Sequence, residues 1–250
     1  MKQFTSIAAL AALLSLSGCA SDGSFDANKA MAVGMGVAQA VTLDEDSVKQ
    51  TASLAAKEMD GKNQVAAATS AYAQRLAKIT SGLKNYKGLN FDFKVYVAPE
   101  INAFAMADGT VRVYSGLMDA MPDDQVLAVI GHEIGHVYHK HSYAQMQQKI
   151  LTDSAMQAAV SVGGVVGELT QGQLGQLAYV AVNAQFSQHD ELESDQFAVK
   201  MLHSMGKDPY AMKRAIATLE SKYGSESSFL SSHPSNKDRI KRIQKAIDQL

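Results

Sequence analysis

Residues 126–137 run Val-Leu-Ala-Val-Ile-Gly-His-Glu-Ile-Gly-His-Val, and this stretch restricts the fold more tightly than any other. It predicts a long helix opening at Pro122-Asp123-Asp124, where proline presets φ and the acids suit the positive end of the helix dipole. Val126, Leu127, Val129, Ile130, Ile134 and Val137 surround that helix, so it must be buried on most sides. Yet it also carries His132, Glu133 and His136, and buried polar groups need partners. A four-residue spacing puts both imidazoles on one face, close enough to hold a single metal ion. Glu133 stands one residue round, where it can reach a metal-bound water without being a ligand and accept its proton. Zinc suits neutral imidazoles with a carboxylate around an open four-coordinate position.

Such a site needs a third protein ligand. The metzincin pattern HExxHxxGxxH would take it from the same segment, but the corresponding positions here carry His139 and Ser142. The alternative is a glutamate from a later helix, and Glu191-Leu192-Glu193-Ser194-Asp195 lies on a helical stretch running to Met205. Glu191 and Asp195 are four apart and face the same way, so Glu191 can bind the metal while Asp195 accepts the free ring N–H of a ligand histidine. Glu193 points off that face, toward solvent. The competing reading of all three is an acidic patch at a helix start. His139 and His141 are placed at the end of the first helix, where imidazole favours the negative dipole, and neither is assigned to the metal.

The totals are consistent with one folded unit: 250 residues, 46% of them hydrophobic, with only 4 prolines. Lys and Arg number 23 against 25 for Asp and Glu, so no basic face is implied that would attract nucleic acid. Lys2 precedes an apolar stretch from Phe4 to Leu16 that is too short to span a bilayer and reads as a secretion signal. It ends in Leu16-Ser17-Gly18-Cys19, which resembles the lipobox of bacterial lipoproteins, cut before a cysteine that carries diacylglycerol. Cys19 is the only cysteine, so no internal disulfide competes for it. By the sorting rules of such lipoproteins, the absence of Asp after Cys19 implies the outer membrane. The expected organisation is a signal peptide over 1–18, a lipid-anchored tether over 19–42 and one catalytic domain over 43–250.

Within that domain, Leu43 to Leu83 reads as two helices, with Val48, Ala52, Leu54, Ala55 and Met59 in one apolar stripe and Tyr72, Leu76, Ile79 and Leu83 in the other. Phe91, Phe93, Val95 and Val97 then alternate with Asp92, Lys94, Tyr96 and Ala98, as in a half-buried strand ended by Pro99. Asn102 to Ala107 and Thr110 to Tyr114 form a hairpin through Asp108-Gly109, a dipeptide that favours a type I′ turn. A small antiparallel sheet results. Everything beyond it reads as helical, including a buried stretch from Ala155 to Gly167 and a further helix from Leu174 to Phe186.

HExxH followed by ExxxD, with Asn102-Ala103-Phe104-Ala105 upstream and His233-Pro234 downstream, resembles metallopeptidase family forty-eight, the HtpX and CAAX-prenyl-protease group of gluzincins. Within it, the lipobox and the run Asn102 to Met118 look most like the LoiP-type outer-membrane lipoprotein metalloproteases. The resemblance implies an α+β fold: a mainly helical gluzincin-type domain with a small antiparallel or mixed sheet whose edge strand borders the zinc site. It implies that His132, His136 and Glu191 bind Zn2+, that Glu133 is the general base, and that Asp195 supports the ligands. Asn102, Ala103, Phe104 and Ala105 would form an edge strand that pairs with an extended peptide. His233 would sit by the metal, as oxyanion donor or as inhibitory fourth ligand, with Arg239 close by. The implied function is zinc-dependent endopeptidase action on misfolded or misassembled envelope proteins, at the periplasmic face of the outer membrane, with its assembly machinery as a possible partner. The alternatives are a chaperone or assembly lipoprotein using the same fold with little turnover, and a zinc enzyme acting on cell-wall peptides.

Overall fold

A computed structural model describes residues 45–153, 170–222, 228–234 and 237–250, and the structural statements below concern these residues. The signal segment, Cys19, the tether and the stretch 155–167 lie outside them. Helix α1 (Glu45–Lys62) starts with two acids and ends with a lysine, as the helix dipole favours. Its buried Val48, Ala52, Ala55 and Met59 recur at helical spacing and form one of the two apolar clusters, together with Tyr96, Phe104, Met106, Tyr114 and Leu177. Helix α2 (Ala71–Ile79) is capped by Ser70, whose hydroxyl accepts from Ala73 N, and it turns Leu76 and Ile79 into the other cluster. Two expected helices are therefore present.

A two-stranded hairpin follows, β1 (Asn85–Tyr86) with β2 (Leu89–Asn90). The three-stranded sheet comprises β3 (Asp92–Tyr96), β4 (Ala103–Ala105) and β5 (Thr110–Tyr114), in the order β3-β5-β4. The expected antiparallel pairing holds for β4 with β5, but β3 joins β5 in parallel, so the sheet is mixed. The chain crosses from one side of β5 to the other through β4 before β5 itself is laid down, and that path makes β3 and β5 run the same way.

The half-buried reading of residues 91–98 holds at the start of the strand, where Phe91 is buried and Asp92 is exposed, and fails at its end. Val95 is 1% exposed and so is Tyr96, although they point to opposite faces. Val95, Val111 and Val113 belong to the large cluster with Leu76 and Ile130, while Tyr96, Phe104 and Tyr114 belong to the cluster under α1. Alternation here separates two cores, because helices cover both faces of the sheet. The hairpin turn differs as well. Gly109 N donates to Met106 O (3.0 Å) and Met106 N to Thr110 O (2.9 Å), so the loop has three residues, and only Gly109 has positive φ (+88°). Asp108 accepts from the backbone N and the hydroxyl of Thr110, both at 3.0 Å, which closes the turn without a type I′ backbone. A Cβ at Gly109 would lie 2.0 Å from Asn90 O, so this position is closed to other residues. The I′ geometry falls instead at Lys87-Gly88, where both φ values are positive.

The remaining elements are helices: α3 (Ser115–Ala120), α4 (Asp123–Tyr138), α5 (His141–Thr152), α6 (Gln171–Val182), α7 (Gln188–Ser204), α8 (Tyr210–Lys222), α9 (Ser228–Ser232) and α10 (Lys237–Ile247). The mostly helical α+β fold is as expected. Helix α4 runs through the centre with every residue from Gln125 to Val137 buried. Among the described residues, no helix is long and apolar enough to cross a membrane.

A buried ion pair ties α1 to the sheet. Arg112, 1% exposed, donates from Nε and Nη2 to the two Asp60 oxygens at 2.9 Å each, and Lys94 and Tyr96 also donate to Asp60. Burial alone would raise the Asp60 pKa, but these hydrogen bonds hold it down at about 2. A depressed carboxylate stabilises the fold above its ordinary value of 3.8, and that contribution is lost as pH falls through about 2. Asp60→Asn is expected to lower stability at pH 7 by about 3 kcal/mol, since it leaves a buried guanidinium short of a counter-charge. It should also flatten the acid limb below pH 4. Urea melts between pH 2 and pH 7 measure both.

Candidate metal centre

The site lies where α4 crosses α7. Helix α7 starts at a capping box, in which Ser187 Oγ accepts from Asp190 N (3.2 Å) and Asp190 Oδ2 accepts from Ser187 N (3.1 Å). The two helices meet almost backbone to backbone. A Cβ at Gly135 would lie 2.8 Å from Ser194 Cα, and one at Gly131 would lie 3.3 Å from Ala198 Cα. Glycines four apart on α4 thus match small residues four apart on α7. This contact sets Glu191, one turn before Asp195, opposite His132 and His136.

The donor atoms converge. His132 Nε2 is 3.0 Å from His136 Nε2, and Glu191 is 3.5 Å from each of these nitrogens, through Oε2 to His132 and Oε1 to His136. His233 Nδ1 completes the group at 3.3 Å from His132 Nε2 and 2.8 Å from Glu191 Oε1. His132, His136 and His233 are 0–2% exposed, and Glu191 is 2% exposed. A tetrahedral zinc with ligands at about 2.0–2.1 Å requires ligand atoms about 3.3 Å apart, so these spacings fit that ion. The hydrogen bonding argues the same way. His132 Nδ1 donates to Asp195 Oδ1 at 2.9 Å, which leaves a lone pair on Nε2 aimed at the other donors. Among the described residues, Glu133 Oε1 and Glu191 Oε2 are buried and accept no hydrogen bond. Arg239 Nη1 is an ion-pair neighbour of that Glu191 oxygen at 2.8 Å.

Electrostatics keep the site poised. Burial lowers the His136 pKa well below the usual imidazole value, which keeps its lone pair available. Burial would raise Glu191, but the neighbouring His233 and His132 hold it well below the carboxylate range. Glu133 moves the other way: burial raises it, and the histidines only partly offset that. Burial would likewise raise Asp195, but Arg239 holds it down by donating to both of its oxygens at 2.8 and 2.7 Å. Arg239 also bonds the carbonyls of His233 and Pro234 at 2.9 and 3.1 Å, so one guanidinium fixes both the carboxylate and the histidine loop.

All the residues expected at the site meet here: His132, Glu133, His136, Glu191, Asp195, His233 and Arg239. The strand from Asn102 to Ala105 borders it, with the Ala105 backbone N–H facing the Glu133 carboxylate. Its outer edge is not open, however. Ala103, Phe104 and Ala105 are 1%, 2% and 5% exposed, and Ser142 Oγ donates to Ala105 O at 3.2 Å. The expectation of a flat accessible edge is corrected, because α5 and α6 cover it.

Two further expectations change. His141 does not sit at the end of α4; it is the first residue of α5, beyond Lys140 at φ 64°, and His139 is the residue that caps α4. Glu193 is not simply solvated, since its Oε2 lies 3.1 Å from His141 Nε2 and its side chain is 37% exposed. Phe186, expected at the end of a helix from Leu174, lies instead beyond α6, which stops at Val182, and its place beside the histidines was not foreseen. Its ring stacks on His136 with centroids 3.7 Å apart and also faces His233. Nothing in its local pattern marks it, since it follows the end of α6 in a short connection.

Comparison with known proteins supplies an independent line. The family model described as Peptidase family M48 matches residues 63–247. Metalloprotease LoiP of Escherichia coli (strain K12) is 40% identical over 98% of this chain and 96% of its own length. Metalloprotease YcaL of the same organism is 39% identical over 98% of this chain and 97% of its own. The Beta-barrel assembly-enhancing protease of that strain is 27% identical over 64% of this chain and 35% of its own length.

The helix contact carries a direct expectation. Gly135→Ala would drive a methyl group into the backbone of Ser194, which cannot swing aside as a side chain end could. The variant should lose about 1–3 kcal/mol of stability and bind zinc more weakly. Thermal melts with and without zinc, alongside metal analysis of the dialysed protein, read both.

Proposed function

Since the chain belongs to peptidase family M48 and is a metalloprotease, we propose that it is a zinc-dependent endopeptidase held by lipid at Cys19 on the periplasmic face of the bacterial outer membrane. The observation that carries this reading is the convergence of His132, His136 and Glu191 beside a buried Glu133 oxygen that accepts no hydrogen bond among the described residues. The chemistry a zinc ion supplies when held there is Lewis acidity toward a carbonyl and acidification of water to a pKa of about 7. Glu133 takes the proton of the attacking water. The same carboxyl then returns that proton to the leaving amine. Asp195 and Arg239 hold His132 and Glu191 in place while this happens.

His233 has Nδ1 at the fourth corner of the ligand set and Nε2 3.5 Å from Glu133 Oε1, so we read it as occupying the water position at rest. The enzyme then works only after His233 and Phe186 withdraw and α5 and α6 free the edge strand. That requirement fits substrates that arrive as extended, misfolded or misassembled envelope polypeptides, which pair with an uncovered strand. The similarity to a protease named for β-barrel assembly supports the outer-membrane assembly machinery as a partner.

The closed centre also suits a chaperone or assembly factor with little turnover, and one set of variants decides between the two. Glu133→Gln is expected to keep one zinc per chain and to lose casein cleavage by about 100-fold or more. His233→Ala should raise cleavage if His233 occupies the water position. A fall of about 100-fold would make His233 an oxyanion donor instead. Full complementation of envelope defects by Glu133→Gln would favour the binding role over proteolysis. For the anchor, Cys19→Ala should abolish incorporation of labelled palmitate and leave residues 1–18 attached. A wild-type chain that takes up no label, or that sediments apart from outer membranes, would remove the anchoring proposal.

A further inference from the structure

We propose that His141 is a positioning residue of the metal centre, whose Nδ1 accepts the Nδ1–H of His136 while its own Nε2–H is held by Glu193 and Asp190. The inference rests on the reading of His136 as a metal ligand and deepens it. His136 Nδ1 lies 3.1 Å from His141 Nδ1, and His141 Nε2 lies 3.1 Å from Glu193 Oε2 and 3.5 Å from Asp190 Oδ1. The His141 ring is 8% exposed, so this is a packed contact within the molecule.

Proton placement allows one arrangement. If His136 gives its Nε2 lone pair to a metal, its Nδ1 must carry hydrogen. The nitrogen facing it must then be a bare acceptor, so the hydrogen of His141 sits on Nε2. Two carboxylates stand where that hydrogen points. Each link is therefore donor to acceptor, from His136 through His141 to Glu193. The other ligand histidine has the shorter version, with Asp195 bonded directly to His132 Nδ1 at 2.9 Å. Helix α7 thus supplies Glu191 as a ligand and the carboxylates that orient both histidines of α4.

The same His141, Asp190 and Glu193 could be read as a second cation site, because their ligand atoms lie close together. Proton placement rules against it. A cation on His141 Nε2 would put hydrogen on His141 Nδ1, facing the hydrogen already on His136 Nδ1. Two donors would then meet at 3.1 Å, so this cluster cannot hold a cation while His136 does.

The test uses the mature full-length chain with 15N-labelled histidine, loaded with zinc. Long-range 1H–15N spectra should show His141 with a bare Nδ1 and a protonated Nε2. Competition with a chromophoric chelator should show zinc affinity falling about 10- to 100-fold in His141→Leu. His141→Asn should recover most of that loss, because its amide oxygen can stand in for Nδ1 as acceptor. A His141 protonated on Nδ1 in the wild type overturns the proposal even if the leucine variant fails to fold. So does a His141→Leu protein that binds zinc as tightly as wild type, or a wild type holding two zinc ions of which Glu193→Gln loses one. A wild type that binds no zinc at all overturns the metal reading itself.

Discussion

A cluster of buried carboxylates and imidazoles between two helices, with donor atoms close enough to hold a metal ion, is the constraint around which this molecule is arranged. Glu133, Glu191 and Asp195 are carboxylates at 1–2% exposure, in surroundings where an isolated charge would be prohibitive. They persist because Arg239 and the histidines lie within hydrogen-bonding distance and because the donor set can be closed by a cation. Without a cation, the ring nitrogens of His132 and His136 and the Glu191 oxygens turn lone pairs toward one another. That is a poor arrangement for an apolar core and a good one for a metal site.

The geometry that delivers this cluster is backbone contact. Gly131 and Gly135 let α4 rest on α7 at Ser194 and Ala198, so side chains one turn away converge instead of being held apart by methyl groups. Arg239 then works at longer range, tying α10 to Asp195 and to the loop that carries His233. His233 is placed from a third direction, since the short helix α9 is hung on Ile101 O through Phe229 N. The ligand set therefore depends on α4, α7 and α9 being correctly seated together, with α10 as the brace.

The sheet has a similar double role. Its two faces serve two cores, one under α1 and one around α4, and β4 stands at the edge that meets Glu133. In the described conformation that edge is covered and Phe186 lies over His136. Catalysis and closure are thus built from the same surfaces. The strand expected to receive a peptide is the one α5 and α6 pack against, and His233 Nδ1 stands among the donor atoms of His132 and Glu191.

What the sequence by itself determined is what depends on short range. Helical spacing alone puts His132 and His136 on one face and Glu191 and Asp195 on another, because residues four apart stack whatever the rest of the chain does. The apolar flanks of the HExxH segment likewise announced a buried helix and hence a need for partners. His233 and Arg239 were legible only through family resemblance. Only the tertiary structure decided the parallel entry of β3, the three-residue turn at Gly109, the cover over β4, the stacking of Phe186 and the link from His136 through His141 to Glu193. Each of these joins residues distant in sequence, or chooses between local geometries of similar energy. Their outcome is set by which surfaces meet when the chain is packed, and a local pattern carries no record of that.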